Sequence, residues 1–378
     1  MFVAWRDLRS ARGRFVLIGS VVALITLLVG FLAGLTGGLA TQDVSAVLGL
    51  PGDRLVLQQP TDGKPSFSES SIGTSTVAAW RDTAGVEDVT PVGIAQGRAT
   101  AQGRATAQGR ATSQGRATGA RGSSAVAVAL FGVPHGAPRS TTTDLAPTTD
   151  DTVGLSSGAA AALHVAVGDR VTIAGTAYRV ATVGGDAWYS HTPVVALTPD
   201  AWAQADRRLG GDGAPTVLAV SGTPDWTAAA ARTHTAAASP LMSLPALQTF
   251  TSEVGSLGLM IVMLFGVSAL VVGAFFTVWT MQRSGDIAVL KALGASDASL
   301  VRDALGQALV VLVVGIGVGI GLVSVLGAVA GGVLPFLLSP LTTVLPATVM
   351  VVLGLAGAAV ALRTVTRADP LTALGSNR

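Results

Sequence analysis

Three long stretches of the chain are apolar and contain no Asp, Glu, Lys or Arg: residues 15–42, 254–282 and 304–362. A helix needs about 20 residues to cross the roughly 30 Å hydrocarbon core of a bilayer. The first two stretches are each long enough for one such helix. The third is long enough for two, and Pro335, Pro340 and Pro346 lie in its middle, where a turn is expected. The pattern therefore predicts four membrane-spanning helices.

Composition supports a membrane protein. Of the 378 residues, 49% are hydrophobic and only 12% are charged, and the mean hydropathy is +0.58, whereas soluble domains carry about 25% charged residues. The formal net charge of +2 gives no reason to expect a nucleic-acid partner. There is no cysteine, which excludes disulfides, thiol catalysis and cysteine-based metal sites.

Basic residues set the predicted orientation. Arg and Lys lie before the first apolar stretch, between the second and the third, and after the last. With four spans these three regions share one side of the membrane, and the positive-inside rule makes that side cytoplasmic. The predicted segments are a cytoplasmic amphipathic segment 1–14, span 15–40, an extracytoplasmic domain 41–251, span 252–282, a cytoplasmic coupling segment 283–303, span 304–334, an outer turn 335–343, span 344–362 and a cytoplasmic tail 363–378.

A cleaved signal peptide is the alternative for the first apolar stretch, because basic residues precede it and small residues follow near Gly37. The apolar core of a signal peptide has about 7–15 residues, and this stretch is much longer. The sequence therefore favours a retained span.

The region between the first two spans is polar, with short strand-like runs separated by Gly and Asp turns. The predicted strands are 53–58, 124–131, 170–173, 177–183 and 192–196, and the predicted helices are 157–164 and 226–238. The fold class is thus an α-helical membrane protein with four transmembrane helices and an α+β extracytoplasmic domain inserted between the first and second spans.

A six-residue repeat lies inside this domain. AQGRAT begins at residues 95, 101 and 107, and SQGRAT begins at 113. Because six is even, a strand would carry Arg98, Arg104, Arg110 and Arg116 on one face. Two interpretations remain open: a basic strip for an anionic ligand or lipid headgroups, or a solvated hairpin or loop lengthened by repeat expansion, which the sequence favours.

Motifs for catalysis are absent from the sequence: it contains no GxxxxGK[ST] phosphate-binding loop, no HExxH and no GxSxG. We therefore expect no enzymatic activity in this chain, with ATP hydrolysed by a partner subunit. The four histidines, at 135, 164, 191 and 234, are widely spaced. Each is expected to be a surface or packing residue.

The segment IAVLKALGA at 287–295 is the most informative short motif. It predicts a short amphipathic helix ended by Gly294. The segment, the arrangement of one span, a large domain and three spans, and the ending RADPLTAL at 367–374 resemble the FtsX/MacB-type ABC transporter permeases. The resemblance implies a homodimer in the plasma membrane, two copies of a cytoplasmic ATPase carrying ATP and Mg, and a lever-like motion. The residues implied in coupling are Ile287, Leu290, Lys291, Leu293 and Gly294.

A narrower resemblance is to heme-exporter permeases of the Hrt type. AWRDLRSARGRFVLI at 4–18, GLTGGLATQDVSAV at 34–47 and DAWYSHTPVV at 186–195 carry it. It implies heme as the substrate, extruded from the membrane to relieve toxicity, and no permanently bound cofactor.

Heme iron needs an axial ligand, and heme itself needs an apolar slot. Glu253 is the only acid between Asp225 and Asp286, and its position predicts the outer boundary of the bilayer. Met260, seven residues further along, shares its helical face, and Met242 and Met263 are the other candidates. In a symmetric dimer, one such face from each protomer would sandwich a flat ligand. The alternatives are a solvated acid near a helix N-terminus for Glu253 and apolar packing for the methionines.

Two other functions remain open at this stage. One is an FtsX-like transmembrane signalling scaffold that activates a cell-wall hydrolase. The other is an exporter of lipids, lipoproteins or peptides. Both retain the permease architecture, and the signalling scaffold would need no ligand slot between the spans.

Overall fold

The computed structural model describes residues 12–101, 125–282, 285, 289, 296–331 and 334–366. Within these residues four helices are long and apolar enough to cross a membrane, as the apolar pattern predicts. They are α1 (Arg12–Leu48), α7 (Gln248–Gln282), α8 (Asp297–Ala330) and α9 (Pro340–Thr366). The chain divides into a helical unit, residues 1–39 with 254–378, and an inserted domain, residues 40–253.

Glycines let the helices of the helical unit approach closely. Gly315 and Gly319 of α8 face Val22 and Thr26 of α1, so that a Cβ added at Gly319 would lie 2.6 Å from the Thr26 Cβ. Gly357 of α9 similarly faces α7. Small residues allow such close contact between helices in membranes. The glycines of α8 thus serve, at least in these two positions, to pack helices of one chain.

The inserted domain is built on ten described strands. They are β1 (Arg54–Gln58), β2 (Val86–Ala101), β3 (Val126–Gly132), β4 (Thr152–Leu155), β5 (Arg170–Ile173), β6 (Thr176–Val183), β7 (Trp188–Tyr189), β8 (Thr192–Leu197), β9 (Val217–Gly222) and β10 (Thr235–Ala238). Strand order is β10-β1-β9-β2-β3-β8-β4-β6-β5, and β7 pairs with β8. The pairings β3–β8 and β4–β6 are parallel, and the others are antiparallel.

Strand β2 is long enough to join two parts of the domain. Its first half pairs with β9, and its second half pairs with β3 and, at Ala99–Ala101, with β5. The last pairing closes a ring of strands, β2–β3–β8–β4–β6–β5. Closure leaves these strands without an open edge, and alternate side chains such as Val128, Leu130 and Val180 fill a fully buried core.

Short helices cover the strands: α2 (Thr74–Arg81), α3 (Ser157–Leu163), α4 (Pro199–Leu209), α5 (Trp226–Thr233) and α6 (Pro240–Ser243). The prediction of one helix over 226–238 is wrong in its second part. Helix α5 ends at His234, whose φ of 51° is left-handed, and the next four residues pair with β1 as β10. Alanine tolerates both states, so pairing with β1 decides the outcome.

The first copy of the repeat, residues 95–100, lies in β2 and pairs with β3. Its Arg98 is exposed. Arg104, Arg110 and Arg116 lie outside the described residues, as do the coupling residues Ile287, Leu290, Lys291, Leu293 and Gly294.

Candidate functional site

A tight hairpin brings a histidine to the edge of the inserted domain. Strands β7 and β8 pair as Trp188 with Pro193 and Tyr189 with Thr192, which leaves a two-residue loop of Ser190 and His191. Both loop residues have positive φ, 45° and 60°. This is the conformation of a type I′ turn, which glycine and asparagine normally occupy. Neither residue here is of that kind, so the loop carries backbone strain of the sort that structure elsewhere must stabilise.

The strained loop is held by the end of α1. The backbone N–H of Ser190 donates to the Asp43 carbonyl (3.1 Å), and that of His191 donates to the Gln42 carbonyl (3.2 Å). The Trp188 N–H donates to the Ser45 hydroxyl (2.9 Å). Three successive points of attachment fix the direction in which the His191 ring leaves the loop.

The His191 ring lies between two carboxylates. Its Nε2 is 2.7 Å from Glu253 Oε2, in the second turn of α7, and 3.7 Å from Asp43 Oδ1, near the end of α1. One ligand atom from each of these three residues lies within 4.8 Å of the others. We call Asp43, His191 and Glu253 the carboxylate–histidine cluster. All three belong to the inserted domain.

The two carboxylates differ in exposure. The side chain of Asp43 is 1% exposed, whereas those of His191 and Glu253 are 29% and 40% exposed. Neither oxygen of Asp43 has a hydrogen-bond partner among the described residues, although the Thr249 hydroxyl also faces this carboxylate. A buried carboxylate is costly unless it is paired, and the titratable neighbour nearest to Asp43 is the His191 ring.

The pKa of Tyr189 is shifted by burial and by the same Asp43 carboxylate. Burial raises the pKa of its phenol well above the usual range, and the nearby Asp43 carboxylate raises this pKa further. The ring packs edge-on against Phe131, with ring centroids 5.7 Å apart. The hairpin strand next to the cluster is therefore anchored in the main core of the domain.

A cleft of about 440 Å³ opens on the other side of the loop. Ser190 and Thr249 lie in its wall, and their hydroxyls are hydrogen-bonded to each other (3.1 Å). Leu209 and Phe67 also line it. Its size falls within the range of small-molecule pockets, about 300–1,000 Å³.

Among the described residues, the predicted ligand residue with a side-chain hydrogen bond to a titratable group is Glu253. Glu253 contacts His191. Met242 lies in α6, and Met260 and Met263 lie in α7; all three side chains are largely exposed. Their role as heme contacts or as apolar packing residues stays a prediction.

The His191 ring, expected to be a surface or packing residue, is partly exposed and contacts the Glu253 carboxylate. The contact between His191 and Glu253 could not be predicted from the sequence, because the two residues are far apart along the chain and the intervening strands and helices determine where the hairpin lies. The signal available was the dipeptide Ser190-His191 between two strand-like runs, within DAWYSHTPVV. Asp43 was not singled out because it directly follows an apolar stretch.

Comparisons with known proteins match this architecture. The FtsX-like permease C-terminal family matches residues 258–370. A Staphylococcus haemolyticus protein named as the hemin transport system permease protein HrtB is 23% identical over 386 residues, covering 99% of each chain. An HrtB-named protein of Staphylococcus epidermidis is 21% identical over the full length of both chains. An uncharacterised ABC transporter permease of Mycobacterium bovis is 29% identical over 68% of this chain and 71% of its own.

Two solved structures show a partial likeness. The periplasmic region of MacB from Actinobacillus actinomycetemcomitans covers 52% of this chain and 92% of its own, at 11% identity and a TM-score of 0.33. The extracellular domain of the transporter YknZ covers 47% of this chain and 87% of its own, at 12% identity and a TM-score of 0.28.

The four apolar helices and the family match together indicate a plasma-membrane protein with an extracytoplasmic domain. The chain carries an FtsX-like permease domain, matched at residues 258–370.

Proposed function

We propose that this chain is the permease subunit of an ATP-driven exporter that extrudes heme from the membrane. The observation that carries the proposal is the similarity to proteins named as hemin transport permeases over 99% of both chains. Similarity over that span includes the inserted domain as well as the helices. The substrate is thus proposed from a match over nearly the whole chain.

Glu253 is the first residue proposed to contact heme. Its carboxylate is partly exposed and lies in the second turn of α7. One carboxylate oxygen lies 2.7 Å from the His191 Nε2, within hydrogen-bond distance. An ionisable residue close to a membrane span is energetically costly, and such residues are therefore candidates for a functional role. Met260, Met242 and Met263 are proposed as further contacts, since exposed thioethers offer both apolar area and a soft ligand atom.

Energy is proposed to come from a separate ATPase. The sequence has no phosphate-binding loop, so the chain needs a nucleotide-hydrolysing partner. Two ATPase copies would bind a permease homodimer through the coupling residues Ile287, Leu290, Lys291, Leu293 and Gly294. The proposed orientation has both termini in the cytoplasm, and a lever-like motion of the spans and the outer domain drives substrate outward.

Heme titration of the purified full chain, followed by the Soret band, tests the substrate. We expect saturable binding at one heme per permease dimer, and Glu253→Gln is expected to weaken it at least about tenfold. Glu87→Gln is the matched control, because Glu87 is an exposed acid of the same domain, and this variant should bind as the wild type does.

A second arm measures export. In cells producing the permease with its ATPase, wild type and Glu87→Gln should protect against added heme, and Glu253→Gln should not. Absence of saturable heme binding by the wild type, with or without the ATPase, would overturn the substrate assignment. The permease architecture would then leave lipids, lipoproteins, peptides or a cell-wall hydrolase as the object of its motion.

A further inference from the structure

We propose that the carboxylate–histidine cluster is a binding site for a divalent first-row transition cation of the Zn²⁺ class. The site is formed by Asp43 Oδ1, His191 Nε2 and Glu253 Oε2. The inference does not depend on heme being the substrate, because it rests on the mutual distances and the burial of these three residues, although Glu253 is also the proposed heme contact.

The buried carboxylate is the observation that points to a cation. Asp43 is 1% exposed, and neither of its oxygens has a hydrogen-bond partner in the described part of the chain. Buried charges in proteins are paired or coordinate metals. A cation between Asp43 and Glu253 would satisfy the buried oxygens and balance two negative charges with one divalent ion.

The distances suit a metal ion with small adjustments. Zinc lies about 2.0–2.2 Å from carboxylate oxygens and imidazole nitrogens, so neighbouring ligand atoms in a tetrahedral site are about 3.4 Å apart. The observed Nε2 distances to the two carboxylates, 2.7 Å and 3.7 Å, fall on either side of this value. Rotation of the partly exposed Glu253 side chain is enough to open the shorter distance. Three protein ligands leave a position for water.

The ligand types narrow the cation class. Imidazole suits Zn²⁺, Ni²⁺, Cu²⁺ and Fe²⁺, whereas Mg²⁺ and Ca²⁺ prefer oxygen alone, and the chain offers no thiolate for softer ions. The backbone bonds that hold the Ser190–His191 loop supply the rigidity such a site requires.

Position in the chain suggests what the cation does. Asp43 and Glu253 lie near the two ends of the inserted domain, where the chain leads from α1 and into α7. A bound cation ties these two points together through His191 of the hairpin. It would therefore fix the base of the domain, and its loss would loosen that base.

The test is zinc binding by the full chain without heme or ATPase. The protein is purified in detergent, freed of its affinity tag and of metal by chelator, and titrated with Zn²⁺ by calorimetry. We expect one high-affinity ion per chain. The informative variant is His191→Asn, since asparagine tolerates the left-handed backbone of the turn but lacks the imidazole.

His164→Asn and His234→Asn are matched controls. Both histidines also have left-handed φ, 56° and 51°, and both lie in the same domain. We expect His191→Asn and Glu253→Gln to weaken zinc binding at least about tenfold, with the two controls unchanged. Circular dichroism and thermal unfolding without zinc establish that each variant is folded, and added zinc should raise the unfolding temperature of the wild type but not of His191→Asn.

Two results would overturn the site. One is no zinc binding by the wild type. The other is wild-type affinity in folded His191→Asn and Glu253→Gln, with the loss found instead in a control. Either result leaves heme titration of the same samples unaffected, so failure of the cation site and failure of heme export are separately observed.

Discussion

One part of the inserted domain holds several residues in energetically unfavourable states, namely Asp43, Tyr189 and His191. A buried carboxylate without hydrogen-bond partners, a buried phenol beside it and a non-glycine residue at positive φ are each unfavourable in isolation. Their coincidence around Glu253 is the arrangement on which the proposed cation site rests.

The first residue-scale prediction concerns the ionisation of Tyr189. Burial, chiefly, and the Asp43 charge raise the folded-state pKa above the unfolded value of about 10. The neutral phenol therefore contributes stability that is fully present below pH of about 10. This stability is lost as the pH rises above that value, because the unfolded chain then releases the proton more readily.

Ultraviolet titration of Tyr178→Phe measures this directly, since the chain has two tyrosines and the variant retains only Tyr189. Phenolate absorbance should appear only together with the loss of the domain's circular dichroism. A reversible ionisation with a midpoint near pH 10 in a folded protein would contradict the burial argument.

How far residues can be predicted from sequence depends on their neighbours along the chain. Glu253 stands out because no other acid lies between Asp225 and Asp286. His191 and Asp43 do not stand out. The contact of His191 with Glu253 spans 62 positions and its contact with Asp43 spans 148, and no local sequence pattern encodes contacts so distant along the chain.

At the scale of elements, the spanning helices were predictable because lipid removes the alternatives. Every backbone group in hydrocarbon must be bonded within its own segment, so a long apolar stretch becomes a helix. Strand β5 was predicted at its observed bounds, 170–173. Strand β10 was missed, because alanine-rich sequence carries no β preference and only pairing with β1 selects the strand.

The element-scale prediction separates two sets of glycines in α8. A Cβ at Gly319 would lie 2.6 Å from the Thr26 Cβ and 2.8 Å from the Ala23 carbonyl oxygen, whereas a Cβ at Gly321 meets no described atom within 4 Å. Gly319→Ala should therefore destabilise the helical unit by about 1–3 kcal/mol through overpacking against α1.

Gly321→Ala and Gly317→Ala are the controls, because both positions are open in the single chain. Thermal unfolding in detergent, read from size-exclusion profiles, compares the three variants. Equal stability of Gly319→Ala and Gly321→Ala would contradict the packing of α8 on α1. A change of oligomeric state confined to the controls would instead place the open glycines in a contact between protomers.

At the scale of the whole molecule, orientation follows from charge and not from fold. The basic residues between α7 and α8 and after α9 predict a cytoplasmic side, and with an even number of spans the inserted domain lies opposite. This arrangement places two proposed roles of the chain on opposite sides of the membrane. In the predicted orientation, the proposed ATPase contact is cytoplasmic, and the proposed cation site belongs to the extracytoplasmic domain.

The absence of cysteine makes this orientation directly measurable, since any thiol introduced is the only one in the chain. Thr61 of the inserted domain and Ser299 at the start of α8 are both exposed, and each is replaced by cysteine in turn. A membrane-impermeant maleimide should label Thr61→Cys in intact cells and Ser299→Cys only after lysis, because a charged reagent does not cross the bilayer core. Both must label equally in detergent, which serves as the control for reactivity.

Labelling of Ser299→Cys in intact cells, with Thr61→Cys protected, would show that the topology is the inverse of the predicted one. An ATPase in the cytoplasm would then face the inserted domain, and heme export by the proposed route would fail with it.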